Sequence, residues 1–208
     1  MNRGKIPAHL IKKSTPIGRV GFMFLDEESI DYEFQKELGE YQCSLFINSD
    51  HIGTLKDDID TLLETTASEV RSNQQIFKSY PYEILHGGSV QKYFDIVGFK
   101  AEPGDMLLKA KTKAHFRDRK TGLLKPNPIR VKDPQGNIMK SVPYTLKGSK
   151  AKITYNLFPW SFGGKAGVRC SLHEVNFLEL KEFVSEENVD ATPNPKEKID
   201  TGEYGINK

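Results

Sequence analysis

Positively charged side chains recur at every second residue in two segments of the chain. Lys109, Lys111 and Lys113 alternate with uncharged residues in the first segment, and Lys150 and Lys152 do so in the second. Successive side chains of a β-strand point to opposite faces, so each segment predicts a strand with one apolar and one cationic face. Neighbouring cations repel each other, and such a row is unfavourable on its own. A polyanion, most often nucleic acid, would offset that cost through its phosphates.

The charge is also segregated along the chain. Residues 109–169 contain 15 Lys and Arg against two Asp, although the whole chain has a net charge of only +2. For either strand alone, a solvated charged face is the alternative, because such faces are common on antiparallel sheets. Two cationic strands in a segment with almost no carboxylates favour a nucleic-acid surface.

Aromatic residues adjoin the second cationic strand. Phe158 and Trp160 lie at its end, Pro159 between them interrupts ladder hydrogen bonding, and Gly163 and Gly164 follow. This pattern predicts a mobile loop that exposes both rings. Single-stranded nucleic acid is typically held by a basic groove and by rings that stack on its bases, whose faces a duplex would hide.

The predicted binding residues share a position on or beside a cationic strand face. They are Lys109, Lys111, Lys113, His115, Arg117, Lys150, Lys152, Phe158, Trp160, Lys165 and Arg169. Phe116 and Tyr155 have the parity of the apolar residues, so they are predicted to be part of the core.

Nothing in the sequence demands catalysis. The histidines are not spaced with Cys43 or Cys170 as metal ligands would be, so we predict no metal site and no cofactor. The glycines form no phosphate-binding loop of the Walker type, and no Ser lies in a nucleophile elbow. We therefore expect a binding protein and not an enzyme.

The bulk properties predict an ordinary globular protein. With 208 residues and 37% hydrophobic composition, the chain can bury one core, and it has neither a secretory signal nor an apolar run of the roughly 20 residues that span a membrane. Two cysteines far apart in sequence predict buried free thiols and a cytoplasmic location. We predict one domain over residues 1–184 and a flexible, mildly acidic tail over residues 185–208.

The elements that must position these side chains are mostly strands. Apolar periodicity predicts a helix over residues 52–70, whereas residues 79–103 predict a connection with a weak strand. Strands are predicted at residues 15–25, 41–47, 106–117, 129–132, 150–158 and 166–183, with turns at 118–122 and 133–137. The apolar parity changes midway through the last strand, which predicts either a bulge or a change of environment there.

Several blocks of this sequence follow one another in a recognisable order. They are residues 41–47 with the helix after them, then 114–121, 131–136, 142–143, 148–153 and 156–160. In their order and spacing these blocks resemble the single-stranded DNA-binding proteins of short-tailed bacteriophages, and they cover roughly half of the chain. No single block is specific, so the resemblance depends on their order.

The resemblance implies an oligonucleotide-binding fold, which is a mainly β, five-stranded barrel with one packed helix. It implies binding of single-stranded DNA without sequence specificity, in phage DNA replication and recombination within the host-cell cytoplasm. It places Lys109, Lys111, Lys150, Lys152 and Trp160 where the binding groove would lie. Contacts with a phage DNA polymerase and a helicase-primase, and a homodimer, are further expectations.

The C-terminal segment departs from the family pattern, because family members often have a densely acidic tail closed by an aromatic residue. From Ser185 onward this chain has six acidic and three basic residues, and Lys208 is the last. Two other functions also fit the residues. One is an RNA-binding module with the same surface, and the other is a phage structural or assembly protein whose basic sheet binds an acidic partner.

Overall fold

The computed structural model describes residues 11–33, 36–70 and 75–181. The α-helices in these ranges are α1 (Thr54–Ser68) and α2 (Gly87–Val97). The strands are β1 (Lys13–Ser14), β2 (Gly18–Phe24), β3 (Glu40–Ile47), β4 (Phe77–Ser79), β5 (Tyr82–Ile84), β6 (Met106–Lys113), β7 (His115–Arg117), β8 (Leu124–Pro126), β9 (Arg130–Lys132), β10 (Lys150–Phe162) and β11 (Lys165–Glu179). The predicted tail over residues 185–208, and with it the boundary at 184, lies outside the described residues.

Five of the strands close into a ring. The strand β2 pairs with β3, β3 with β6, β6 with β11, β11 with β10, and β10 with β2 again. Only the β6 and β11 pair within this ring is parallel. Shorter strands attach outside it: β1 to β10, β4 and β9 to β11, and β5 to β6. The prediction of a mainly β chain built on five strands is confirmed.

The interior of the ring is filled by residues that the alternating pattern assigned to it. The buried set includes Met106, Leu108 and Ala110 from β6 and Ala151, Ile153, Tyr155 and Leu157 from β10. Cys43 and Cys170 lie in the same core as free thiols, as predicted. Burial raises the pKa of the Cys43 thiol to about 12, so this thiol stays protonated and behaves as a small apolar side chain.

The helix α1 packs against β10 and β11. Its residues Leu55, Ile59 and Leu63 are fully or almost fully buried and belong to the core of the ring. They recur at intervals of four residues, which places them on one face of the helix. The predicted helix over residues 52–70 is therefore confirmed, with slightly shorter bounds.

The prediction for residues 79–103 was wrong in one respect, because this segment contains a second helix. His86 accepts a hydrogen bond from the amide of Ser89 and so caps α2, and Gly98 ends the helix with a φ of 71°. The pair at residues 87–88 signalled a loop, but it occupies the first turn. Tyr93 and Val97 pack with Phe46 and Leu107, so α2 covers part of the outer face of the ring.

The predicted strand over residues 106–117 is also two strands. After Lys113 the chain leaves the ring, and the amides of Ala114 and His115 donate to the carbonyl groups of Gly39 and Leu38. The strand β7 then pairs with β8 in a separate hairpin. Phe116 lies beyond the ring and is 46% exposed, so its predicted place in the core was wrong.

The predicted mobile loop after Phe158 is instead part of a long hairpin. The strand β10 continues to Phe162 and β11 begins at Lys165, with pairing up to that point. Gly163 and Gly164 form the turn with φ values of 56° and 76°, and such positive φ values suit a two-residue hairpin turn. The predicted bulge in β11 is confirmed, since the pairing shifts between Thr154 and Tyr155 of β10.

Candidate nucleic-acid interface

Aromatic residues oppose cations on one face of the β10 and β11 hairpin. Phe158 pairs with Arg169, and Phe162 pairs with Lys165. Directly paired residues of antiparallel strands project to the same face of the sheet. The Arg169 guanidinium carbon lies 5.7 Å from the centroid of the Phe158 ring, within the range of a cation-π contact. The hairpin thus presents rings and positive charges side by side.

Trp160 lies between these two pairs, directly over Gly167. A Cβ atom at Gly167 would come within 2.3 Å of two ring atoms of Trp160, which shows how closely the indole approaches the backbone. The residue nevertheless remains 39% exposed. Glycine therefore allows the indole to rest on the strand while part of its surface stays open to a ligand.

The edge strand β4 adds another aromatic residue to this face. In the parallel pairing of β4 and β11, Phe77 lies opposite Lys165, so this lysine stands between Phe77 and Phe162. The two phenylalanines are 70% and 84% exposed. Neither was among the predicted binding residues. The parity that Phe162 shares with Phe158 and Trp160 could have identified it, whereas Phe77 depends on pairing between segments distant in sequence.

The lysine row of β6 continues the same face across the ring. Lys111 pairs with Ser171, two residues beyond Arg169 on β11, so the row and the hairpin face the same side. Lys109 and Lys113 are exposed and form no ion pair with any described carboxylate, whereas Lys111 lies 3.5 Å from Glu40. We call the combined surface the aromatic-basic face. It consists of Phe77, Lys109, Lys111, Lys113, Phe158, Trp160, Phe162, Lys165 and Arg169.

The spacing of the rings suits single-stranded DNA in an extended conformation. Phe158, Trp160 and Phe162 alternate along β10, which places successive rings about 6.6 Å apart. This separation is about twice the ~3.4 Å rise per nucleotide of B-form DNA. Bases of an unpaired, extended strand could therefore meet successive rings, whereas the bases of a duplex could not.

Glu83 marks where the aromatic-basic face meets α2. Its carboxylate accepts hydrogen bonds from the Ser89 hydroxyl at 2.8 Å and the Tyr93 hydroxyl at 2.9 Å. The hydrogen bond from Ser89 lowers the pKa of Glu83, and the bond from Tyr93 and the nearby charge of Lys109 lower it further. An ionised Glu83 thus anchors α2 beside the first lysine of the row.

The structure places the predicted residues Lys150 and Lys152 elsewhere. They lie at the opposite end of β10, eight to ten residues before Trp160, or about 26 Å or more along an extended strand. The ammonium group of Lys150 forms an ion pair of 2.7 Å with Glu179. Lys152 lies opposite Asn176 in the backbone pairing of β10 with β11.

Other cations near this end of β10 are also neutralised. Glu174 is buried in β11, and its carboxylate forms ion pairs with Arg130 at 3.0 Å and Lys132 at 3.1 Å, both from β9. The positive charge of residues 109–169 is therefore divided. One part forms ion pairs with carboxylates near Lys150, and another, on the aromatic-basic face, has few carboxylate partners in the part of the chain that the structure describes.

His115 and Arg117 lie on the separate hairpin of β7 and β8. The Nδ1 atom of His115 lies 3.1 Å from the carbonyl oxygen of Leu38. Arg117 forms an ion pair with Glu37 and donates a hydrogen bond of 2.8 Å to the carbonyl oxygen of Gly122. Both side chains thus hold this hairpin in place, and they are not part of the lysine row.

Two further features of the described ranges are their side-chain clusters and their helices. Within residues 11–33, 36–70 and 75–181, no group of three or more His, Cys, Asp or Glu side chains could hold a metal ion. No helix in that part of the chain is long and apolar enough to cross a membrane.

Comparison with known proteins identifies a family. The family model described as the single-stranded DNA-binding protein of bacteriophage T7 matches residues 21–180. The single-stranded DNA-binding proteins of Enterobacteria phage T3 and Escherichia phage T7 are each 28% identical to this chain over 129 residues. Each match covers 60% of this chain and 56% of the relative, so it spans just over half the length of these relatives.

Solved structures share the fold. The single-stranded DNA-binding protein gp2.5 of bacteriophage T7 superposes with a TM-score of 0.63 at 21% identity, over 88% of this chain and 98% of gp2.5. The single-stranded DNA-binding protein of bacteriophage Enc34, in complex with single-stranded DNA, gives a TM-score of 0.55 at 11% identity. That match covers 82% of this chain and 88% of the Enc34 protein.

Proposed function

The chain belongs to the single-stranded DNA-binding protein family of bacteriophage T7, and we propose that it binds single-stranded DNA through the aromatic-basic face. The observation that carries this proposal is the ladder of the β10 and β11 hairpin, where Phe158, Trp160 and Phe162 stand opposite Arg169, Gly167 and Lys165. Rings that are at least partly exposed and lie beside cations suit single-stranded DNA, because its bases and its phosphates are both accessible.

The chemistry divides between the two kinds of residue. Lys109, Lys113, Lys165 and Arg169 contact phosphates and release counterions, so affinity falls as salt rises. The rings stack on bases at about 1 to 3 kcal/mol per base, and every base has a π-face, so binding is insensitive to sequence. No bond is made or broken, and the protein acts by binding without catalysis.

Family membership supports a wider role in phage DNA replication and recombination. We infer that the protein acts in the host-cell cytoplasm, where it binds and covers single-stranded DNA. In this proposal the DNA-binding domain is one domain over residues 1–184. Contacts with a phage DNA polymerase and helicase-primase, and a homodimer, belong to the same proposal. Copurification of those enzymes with the full chain, and sedimentation of the chain alone, would test them separately.

Trp160 offers a direct test, because it is the only tryptophan of the chain. We expect oligo-dT to quench its fluorescence saturably, at concentrations where duplex DNA of the same length does not compete. Raising the salt should weaken this quenching. Oligo-U as competitor measures the preference for DNA over RNA, and stronger competition by RNA would transfer the proposal to an RNA ligand.

A labelled oligonucleotide removes the dependence on one fluorophore. If the oligonucleotide binds but the emission of Trp160 is unchanged, the strand follows another surface and the assignment of the stacking rings fails. If the oligonucleotide does not bind at all, the proposed function fails, and the basic face is left for an acidic protein partner.

A further inference from the structure

A second basic element projects from the end of the lysine row. Residues 115–126 form a hairpin, here called the arm, which consists of β7, a turn and β8. The arm joins the ring at Lys113, whose carbonyl oxygen accepts a hydrogen bond of 2.8 Å from the Asn127 side chain. Its turn lies three strand residues beyond this junction, or about 10 Å away.

Contacts of Asp118 define the turn of the arm. The Asp118 carboxylate accepts hydrogen bonds from the amides of Lys120 at 2.8 Å and Thr121 at 3.0 Å, and it also forms an ion pair with Lys125. Gly122 completes the turn with a φ of 70°. Hydrogen bonding by Lys125, followed by that of the backbone amides, lowers the pKa of Asp118, which is therefore ionised near neutral pH.

The cations of the arm fall into two groups. Arg117 is engaged by Glu37 and Lys125 by Asp118, so these two stabilise the arm itself. Arg119 and Lys120 sit side by side in the turn, both exposed, and neither forms an ion pair among the residues that the structure describes. Their charges are thus free for a ligand that approaches the tip.

We propose that Arg119 and Lys120 form a second phosphate-binding site, which extends the path of single-stranded DNA from the lysine row onto the arm. This inference rests on the proposed function. The continuity between the arm and Lys113 favours the same strand of DNA as occupant. Phe116 supports this assignment, since it leaves an aromatic surface 46% exposed on the arm. The arm therefore lengthens the binding site without adding to the stacking ladder on β10.

The test compares the R119A/K120A double variant with the unmodified full chain, using oligo-dT and Trp160 fluorescence. Loss of two phosphate contacts should lower the slope of log affinity against log salt by about 1.4, at about 0.7 per contact with a single strand. The number of nucleotides occluded per protein should also fall, whereas the maximal quenching of Trp160 should stay the same.

Two controls separate this effect from general loss of charge and from misfolding. The K12A/K140A variant removes the same charge from exposed positions outside both the arm and the aromatic-basic face, and it should keep the slope. The R119K/K120R variant keeps both charges in the turn and should bind like the unmodified chain.

The outcomes distinguish this inference from the proposed function. If the unmodified chain does not bind oligo-dT, the proposed function itself fails. If it binds and R119A/K120A has the same slope and site size, the arm does not contact the strand and this inference is overturned. Such a result would leave the arm for another anionic partner, such as an acidic protein surface.

Discussion

At the scale of single residues, Gly167 determines whether Trp160 can act as a stacking surface. The indole lies so close to this residue that even one methyl group would displace it. Gly167→Ala should therefore weaken binding of oligo-dT by about 1 to 3 kcal/mol, the contribution of one stacked base. Because Trp160 is already 39% exposed, its displacement should change the free energy of unfolding little. Fluorescence titration and thermal unfolding measure the two effects.

Gly87→Ala is the matched control for this substitution. Gly87 begins α2, and a Cβ there would meet no atom within 4 Å. This control should retain full affinity. Equal affinities for Gly167→Ala and the unmodified chain would show that the position of the indole over β11 has no part in binding.

Phe77 and Phe162 are large apolar side chains that remain 70% and 84% exposed, so they contribute little to the core. If they stack on bases, Phe77→Ala and Phe162→Ala should each reduce affinity by about 1 to 3 kcal/mol without changing its salt dependence. Binding of a labelled oligonucleotide at several salt concentrations checks both effects.

Ile138→Ala provides the comparison, because Ile138 is 58% exposed in a loop away from the aromatic-basic face. The Ile138→Ala variant should bind the labelled oligonucleotide with the affinity of the unmodified chain. A fall in the salt dependence of either phenylalanine variant would argue against stacking, because it would mean that the substitution disturbs phosphate contacts instead.

At the scale of elements, local periodicity predicted some units and missed others for identifiable reasons. The helix α1 was predictable because Leu55, Ile59 and Leu63 lie on one face. The helix α2 was missed because the glycines at 87–88 outweighed the helical spacing of Val90, Tyr93 and Val97. Its apolar side faces Phe46 and Leu107 on the outside of the ring, and a strand pattern gives no sign of such a second layer.

The anchoring of α2 by Glu83 makes a prediction about pH. The folded-state pKa of Glu83 is below its ordinary value of 4.5, first because Ser89 donates a hydrogen bond to it. Its contribution to stability is therefore complete above about pH 4.5 and is lost as the pH falls through the folded value. Glu83→Gln should be less stable than the unmodified chain at pH 7, and the difference should shrink toward pH 3.

Denaturant unfolding at intervals between pH 7 and pH 3 measures this difference. Glu69→Gln, which alters an exposed residue at the end of α1, serves as the reference and should follow the unmodified chain. A constant difference for Glu83→Gln across this range would show that the ionised carboxylate does not stabilise the attachment of α2.

At the scale of the whole molecule, the sequence revealed how much positive charge there is but not how it is distributed over the surface. The two alternating segments look equivalent in sequence. Closure of the ring separates them, because the pairing of β10 with β11 places Lys150 beside Glu179, whereas Arg169 lies beside the row of β6. Phe77 reaches the same face only through its parallel pairing with β11. Such long-range pairings leave no trace in local periodicity.

This separation leads to a comparison between two double variants that remove the same charge. K109A/K113A removes two cations of the aromatic-basic face that form no ion pair with a described carboxylate, so the salt slope of oligo-dT binding should fall by about 1.4. K150A/K152A should leave the slope unchanged, since Lys150 is already paired with Glu179. Loss of that exposed ion pair should change the stability of the fold little, because solvent screens the two charges.

Affinity at a single salt concentration would not separate these variants, because any loss of positive charge weakens attraction to DNA over a distance. The slope counts phosphate contacts and therefore reports position. If K150A/K152A lowered the slope and K109A/K113A did not, the bound DNA would follow the outer surface at the start of β10. The unpaired lysines of β6 would then have to be explained by a different ligand.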